Sequence, residues 1–146
     1  ALKNIYAIAA GVAEGLNLGE NAKSALISRS FAEMTRYAKK FKADKNTLFG
    51  LSGLGDLILT CSSSNSRNTQ FGIKLASSKY DNFLDLLKSQ EVTEGYYTVK
   101  AVYNISQKKN IDMPIMESVY NILYKQHDLK EELSNLLSRP ITEEKI

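Results

Sequence analysis

The sequence predicts an all-α fold, a single multi-helix domain over residues 1–146. Apolar residues recur at spacings of three and four through most of the chain, the period of helices that bury one face. Runs that alternate β-branched with polar residues are absent, and proline stands only at 114 and 140, so nothing reads as a sheet.

Each element follows from that period. Residues 3–16 are apolar on nearly every side and rich in Ala and Gly, which marks a central buried helix. Gly15, Asn17 and Gly19 break it. A second helix is expected over 20–41, with Leu26, Ile27, Phe31, Met34 and Tyr37 as its apolar positions and Arg29, Glu33, Arg36 and Lys40 on other faces. Acid early and lysine late suit its dipole. A short helix is expected over 45–49, capped by Asp44 and ended by Gly50. Gly53-Leu54-Gly55 then leads into a helical turn opened by Asp56. Ser66 is expected to cap a helix to about residue 76, and 80–88 reads as another short one. Residues 91–95 form a polar hinge, and helical spacing resumes at Tyr97 and ends at Asn110. Met113 is extended because it precedes proline. Pro114 opens a helix to about Gln126. Asp128 caps a last one through Leu137, and the tail from Ser138 reads as a surface strap.

The bulk numbers exclude several function classes. A chain of 146 residues with 43% hydrophobic content fits one domain with a real core. The net charge of +3, from 19 basic and 16 acidic residues mixed along the chain, lacks the clustered basic face of a nucleic-acid binder. The longest apolar run, residues 5–13, is about half the roughly 20 residues that span a bilayer. It has no basic leader of the kind a signal peptide carries. One cysteine, Cys61, allows no internal disulfide and favours a reducing, cytoplasmic setting. The chain opens inside a helix without a methionine, so a fragment of a longer protein is expected.

Chemistry concentrates between Gly53 and Asn68. Thr60 lies four residues after Asp56 and shares its helix face; a carboxylate and a hydroxyl there suit the hydroxyls of a small polar substrate. Asp56 reads equally well as a helix cap. Ser66-Arg67-Asn68 places an arginine and an amide at a helix N-terminus, where unpaired N–H groups and the dipole favour phosphate. The plain alternative is a solvated arginine at a serine-capped start. Lys3 stands at the mouth of the most buried helix; desolvated there, it has a lowered pKa and suits proton transfer. Otherwise it is an exposed terminal lysine, with Asn4 a polar helper or a cap. Cys61 reads as a packed small hydrophobe and His127 as a surface residue near a helix end. One His and one Cys make no metal site. The tyrosines at 96, 97, 103, 120 and 124 follow helical spacing and read as core.

Taken together, Ala1-Leu2-Lys3-Asn4, Ile8-Ala9-Ala10-Gly11, Gly15-Leu16, Gly53-Leu54-Gly55-Asp56-Leu57, Thr60-Cys61, Ser66-Arg67-Asn68, Glu94-Gly95 and Met113-Pro114-Ile115 resemble the C-terminal domain of bacterial NAD(P)-dependent glycerol-3-phosphate dehydrogenases. The resemblance covers essentially the whole chain. It implies the C-terminal fold of the 6-phosphogluconate dehydrogenase-like superfamily. It also implies interconversion of sn-glycerol 3-phosphate and dihydroxyacetone phosphate with NAD or NADP, supplying glycerophospholipid precursors. Under it Lys3 is the proton acceptor or donor. Asp56, Ser66, Arg67 and Asn68 bind substrate, with Thr60 and Asn4 as secondary contacts. Arg67, Val92 and Glu94 touch the cofactor. The family's N-terminal dinucleotide-binding (Rossmann) domain is absent here, since no Gly-x-Gly-x-x-Gly occurs. That domain becomes an expected partner, and the chain alone is expected to bind NAD(P) poorly and to be inactive. Exposed apolar helix faces allow a homodimer. Two rival readings stand: a non-catalytic helical anion-binding or dimerisation module, and a related dehydrogenase for another phosphorylated or hydroxy-acid substrate.

Overall fold

The computed structural model describes residues 2–41, 51–62, 66–77 and 94–138. Among these, seven helices and no strand occur: α1 (Leu2–Gly15), α2 (Glu20–Lys40), α3 (Leu51–Ser62), α4 (Arg67–Ser77), α5 (Glu94–Lys109), α6 (Pro114–Tyr124) and α7 (Leu129–Leu137). The helices expected over 45–49 and 80–88, and the tail beyond 138, lie outside the described residues.

The fold is built around α1. Every residue from Ile5 to Ala13 is buried, and α2, α3, α4, α5 and α6 all pack on it. A helix with no polar face has no stable place except the centre. Its closest partner is α4. A Cβ on Gly11 would lie 3.0 Å from the Cα of Gly72, and a Cβ on Gly72 would lie 2.8 Å from the backbone nitrogen of Val12. Only glycine on both sides lets these two backbones touch. α1 ends where Asn17 turns left-handed, φ 58°, and Leu18 N–H returns to the Ala13 carbonyl at 3.1 Å, a closure that satisfies end carbonyls.

Helix α2 departs from its expected pattern. Leu26 is buried, while Ile27, Phe31, Met34 and Tyr37 are only half-buried. Arg29 and Glu33, expected on other faces, are buried at 7% and 0% exposure. The cause is the ends of other helices. Glu33 accepts from Ile115 N–H at 2.8 Å and from Met116 N–H at 3.4 Å, at the start of α6. Arg29 donates to the Leu136 carbonyl in the last turn of α7. An acid at a helix start and a base at a helix end both complement the dipole. Arg36 Nε extends the row by donating to the Asp112 carbonyl at 2.8 Å, just before α6.

Helix α3 begins earlier than expected. It runs through Gly53 and Gly55, so Asp56 lies inside the helix and is not its cap. Half-buried Leu54 extends the buried Leu57 and Cys61 stripe by one turn. That continuity carries the helix through glycines costing about 1 kcal/mol each. Helix α5 also begins early, at Glu94, inside the segment expected as a hinge. α6 opens at Pro114 as expected and stops at Tyr124, short of residue 126. Asp128 caps α7 as expected, accepting from Glu131 N–H at 3.0 Å.

Candidate active site

Three helix starts meet on one side of α1. Lys3 and Asn4 occupy the first turn of α1, Arg67 and Asn68 that of α4, and Glu94 and Gly95 that of α5. Ser66 caps α4 as expected, its hydroxyl accepting from Thr69 N–H at 3.3 Å. Thr69 in turn donates its hydroxyl to the Thr60 carbonyl at 3.1 Å, which ties the start of α4 to the end of α3. Asn68 is buried at 8% exposure, and its Oδ1 accepts from Gly95 N–H at 3.0 Å. That bond supplies α5 with a cap from another helix, which is why α5 starts at Glu94 and not at Tyr97. The carbonyl of Asn4 would lie 3.1 Å from a Cβ on Gly95, so α1 closes the third side.

Lys3 meets Asp56 across 53 residues of sequence, with Nζ 2.9 Å from Oδ2. The expectation of a desolvated Lys3 is not met. The two side chains are 39% and 54% exposed, because the first turn of a helix lies outside the core that buries residues 5–13. Asp56 faces the lysine because α3 packs on α1 with Leu57 and Cys61 inward, which leaves the preceding position at the rim. Thr60 shares the helix with Asp56, but its hydroxyl donates to the Asp56 backbone carbonyl at 2.8 Å. Its oxygen keeps acceptor capacity only. Arg67 and Glu94 are exposed. Val92 lies outside the described residues.

The remaining sequence candidates separate from this cluster. Cys61 is 1% exposed, and burial pushes its thiol up to about 12, a packed and unreactive sulfur. Burial first, then the carboxylate of Glu33, holds the Tyr6 phenol well above its ordinary range. His127 sits on the surface after α6, with Nδ1 2.8 Å from Glu132 Oε1. Among the described residues no group of three or more His, Cys, Asp or Glu is placed to hold a metal ion. None of their helices is long and apolar enough to cross a membrane. Tyr96, Tyr103, Tyr120 and Tyr124 pack half-buried between α5 and α6, and Tyr103 and Tyr120 stack at 3.7 Å between centroids. Tyr97, expected in the core, is 66% exposed. Its ring stands edge-on to Tyr96, on the side of α5 that no described helix covers.

Gly95 is the contact that sequence reasoning missed. It stood in the sequence only as part of the Glu94-Gly95 segment and of an expected hinge, with no role of its own until the acceptor on Asn68 is known.

A family model described as the C-terminus of NAD-dependent glycerol-3-phosphate dehydrogenase matches residues 1–134. The chain is 47% identical over 145 residues to a glycerol-3-phosphate dehydrogenase [NAD(P)+] of Solidesulfovibrio magneticus, covering 99% of this chain and 43% of that protein. It is 46% identical over 141 residues to the protein of the same name from Brachyspira hyodysenteriae, covering 95% of this chain and 42% of that one. The crystal structure of glycerol-3-phosphate dehydrogenase from Coxiella burnetii superposes with a TM-score of 0.85 at 40% identity, over 94% of this chain and 42% of that one. The chain thus spans about two fifths of the length of the curated relatives it matches. It belongs to the C-terminal family of NAD-dependent glycerol-3-phosphate dehydrogenases.

Proposed function

We propose that this chain is the substrate-holding and proton-transferring part of an NAD(P)-dependent dehydrogenase that interconverts sn-glycerol 3-phosphate and dihydroxyacetone phosphate. The observation that carries the proposal is the contact between Lys3 and Asp56 at 2.9 Å, beside three converging helix starts. The names of the relatives supply the substrate.

In this reading the phosphate lies at the start of α4. Exposed Arg67 gives it planar paired donors, Asn68 gives amide donors, and the helix dipole adds to both. Ser66 holds that helix start in shape, and Asn4 adds a polar contact from α1. The carbinol end faces Lys3. In the oxidative direction the neutral amine of Lys3 takes the C2 hydroxyl proton while the C2 hydrogen leaves as hydride, and the C–O bond becomes a carbonyl. Asp56 aims the lysine through a charge-assisted hydrogen bond. The acceptor of Thr60 suits a substrate hydroxyl. Anchoring at the phosphate fixes the distance from Lys3 to C2, and this accounts for much of the rate gain in such chemistry.

The described residues fit one edge of a dinucleotide. Exposed Arg67 and Glu94 sit on helix starts joined by the Asn68–Gly95 bond, and Val92 precedes Glu94 by two residues in the chain. When bound, NAD(P) accepts or returns the hydride. The pyrophosphate and adenosine would lie against a separate dinucleotide-binding domain, which this reading takes as a partner.

Two substitutions at one position test the assignment. Lys3→Ala removes the base. Lys3→Arg keeps a cation opposite Asp56 but cannot release its proton. In the protein at its natural length, kcat is expected to fall by about 100-fold or more in both. Parental rates in Lys3→Ala would sink the proposal and favour a non-catalytic anion-binding module.

A further inference from the structure

The bond between Asn68 and Gly95 also orients a ligand-binding group. Gly95 N–H is a donor and can only meet an acceptor, so chemistry places Oδ1 of Asn68 there. One lone pair of that oxygen is then taken, and the two N–H donors on the other side of the carboxamide are left for a ligand. Glycine is demanded at this point by space. A Cβ on Gly95 would lie 2.6 Å from Asn68 Oδ1 and 2.7 Å from Ile8 Cδ1. Gly95 therefore sits where a side chain would push the amide of Asn68 away. Asn68 is 8% exposed, and with its oxygen bonded to Gly95 N–H its amide has little freedom to flip.

We infer that Gly95 is a positioning residue for the substrate anion: its N–H holds Asn68 in the one orientation that presents donors, and so restricts that side of the site to ligand acceptors such as phosphate oxygens. This rests on the reading that Asn68 contacts the substrate phosphate. It also links the start of α5, which carries Glu94, to the substrate group on α4.

Steady-state kinetics of the protein at its natural length test the inference with Gly95→Ala, Asn68→Asp and Arg67→Ala. Gly95→Ala is expected to raise the KM for glycerol 3-phosphate by about tenfold or more, the loss of one charge-assisted hydrogen bond. The KM for NAD(P) stays within about twofold. A lower melting temperature with an unchanged KM for glycerol 3-phosphate makes the bond merely structural and overturns the inference. If that happens while Arg67→Ala raises the KM, the functional reading stands and only the positioning role fails. An unchanged KM in Arg67→Ala as well removes the functional reading itself. Should Gly95→Ala not fold, Asn68→Asp decides. It keeps the acceptor for Gly95 N–H but turns the ligand-facing donors into a second acceptor. Slow hydrogen exchange at the Gly95 amide together with a raised KM supports the inference. Fast exchange, or a parental KM, overturns it.

Discussion

Glu33 is the residue on which the C-terminal helices rest. Its carboxylate is fully buried and accepts from Ile115 N–H through both oxygens, at 2.8 and 3.1 Å, and from Met116 N–H at 3.4 Å. These are donors that a helix start leaves without intrahelical partners. Glu33→Ala strands them in the interior and is expected to cost about 3 kcal/mol, at about 1–3 kcal/mol for each unsatisfied buried group. Glu33→Gln keeps one acceptor oxygen and loses the charge that favours a helix start, so its cost should be clearly smaller. Urea denaturation of both variants checks the order; an equal loss would mean that one neutral acceptor does not replace the carboxylate, and no loss in Glu33→Ala would mean that the caps contribute nothing. Sequence periodicity placed Glu33 and Arg29 away from the core because charged residues at helical spacing usually face water. Neither the start of α6 nor the end of α7 is visible from α2 in sequence, so the reason for burying them was not legible. Cys61 was legible, because a lone cysteine four residues after an apolar Leu57 reads as core without any tertiary knowledge.

Among the elements, the pair α1 and α4 sets where the candidate site can form. The close crossing at Gly11 and Gly72 fixes how α4 lies on α1, and α4 carries Arg67 and Asn68 at its start. Gly72→Ala places a methyl against the Ile8 carbonyl and 2.8 Å from Val12 N. Backbone cannot yield there as a flexible side chain would. The expected loss is about 2–3 kcal/mol, the upper part of the range for overpacking, and it should weaken phosphate binding because the start of α4 shifts with the helix. Gly55→Ala is the control. Nothing lies within 4 Å of a Cβ at Gly55, and the residue is exposed inside α3. There alanine is expected to stabilise by about 0.5–1 kcal/mol through helix propensity alone. Thermal melts of the two variants should move in opposite directions; a shared direction would refute the steric account. The existence of α1, α2, α4, α6 and α7 was legible from apolar spacing and caps. The early starts of α3 and α5 were not, because glycines in both segments read as breaks, and the compensation comes from Leu54 in one case and from Asn68 in the other.

At the scale of the molecule, fold and candidate site separate cleanly. The described core gathers around the apolar α1 and the helices packed on it. The candidate site lies at the rim, where Lys3, Asp56, Arg67 and Glu94 are exposed in whole or in part. Its residue types were legible because they cluster in short polar runs at helix starts; their meeting across 53 residues, as Lys3 meets Asp56, was not. An exposed site of this kind excludes water poorly, and water exclusion strengthens every charge interaction used in proton and hydride transfer. The proposed function therefore needs a second body over the rim, and the relatives are more than twice as long as this chain. Residues 1–146 produced alone should fold, since their core is internal. They should also bind glycerol 3-phosphate weakly, with amide NMR shifts centred on Arg67, Asn68 and Gly95. With NAD(P) added they should give no measurable turnover, and supplying the dinucleotide-binding region of a relative on the same chain should restore it. Turnover by residues 1–146 alone would show that the rim closes on itself, and that a separate domain is not what completes the site.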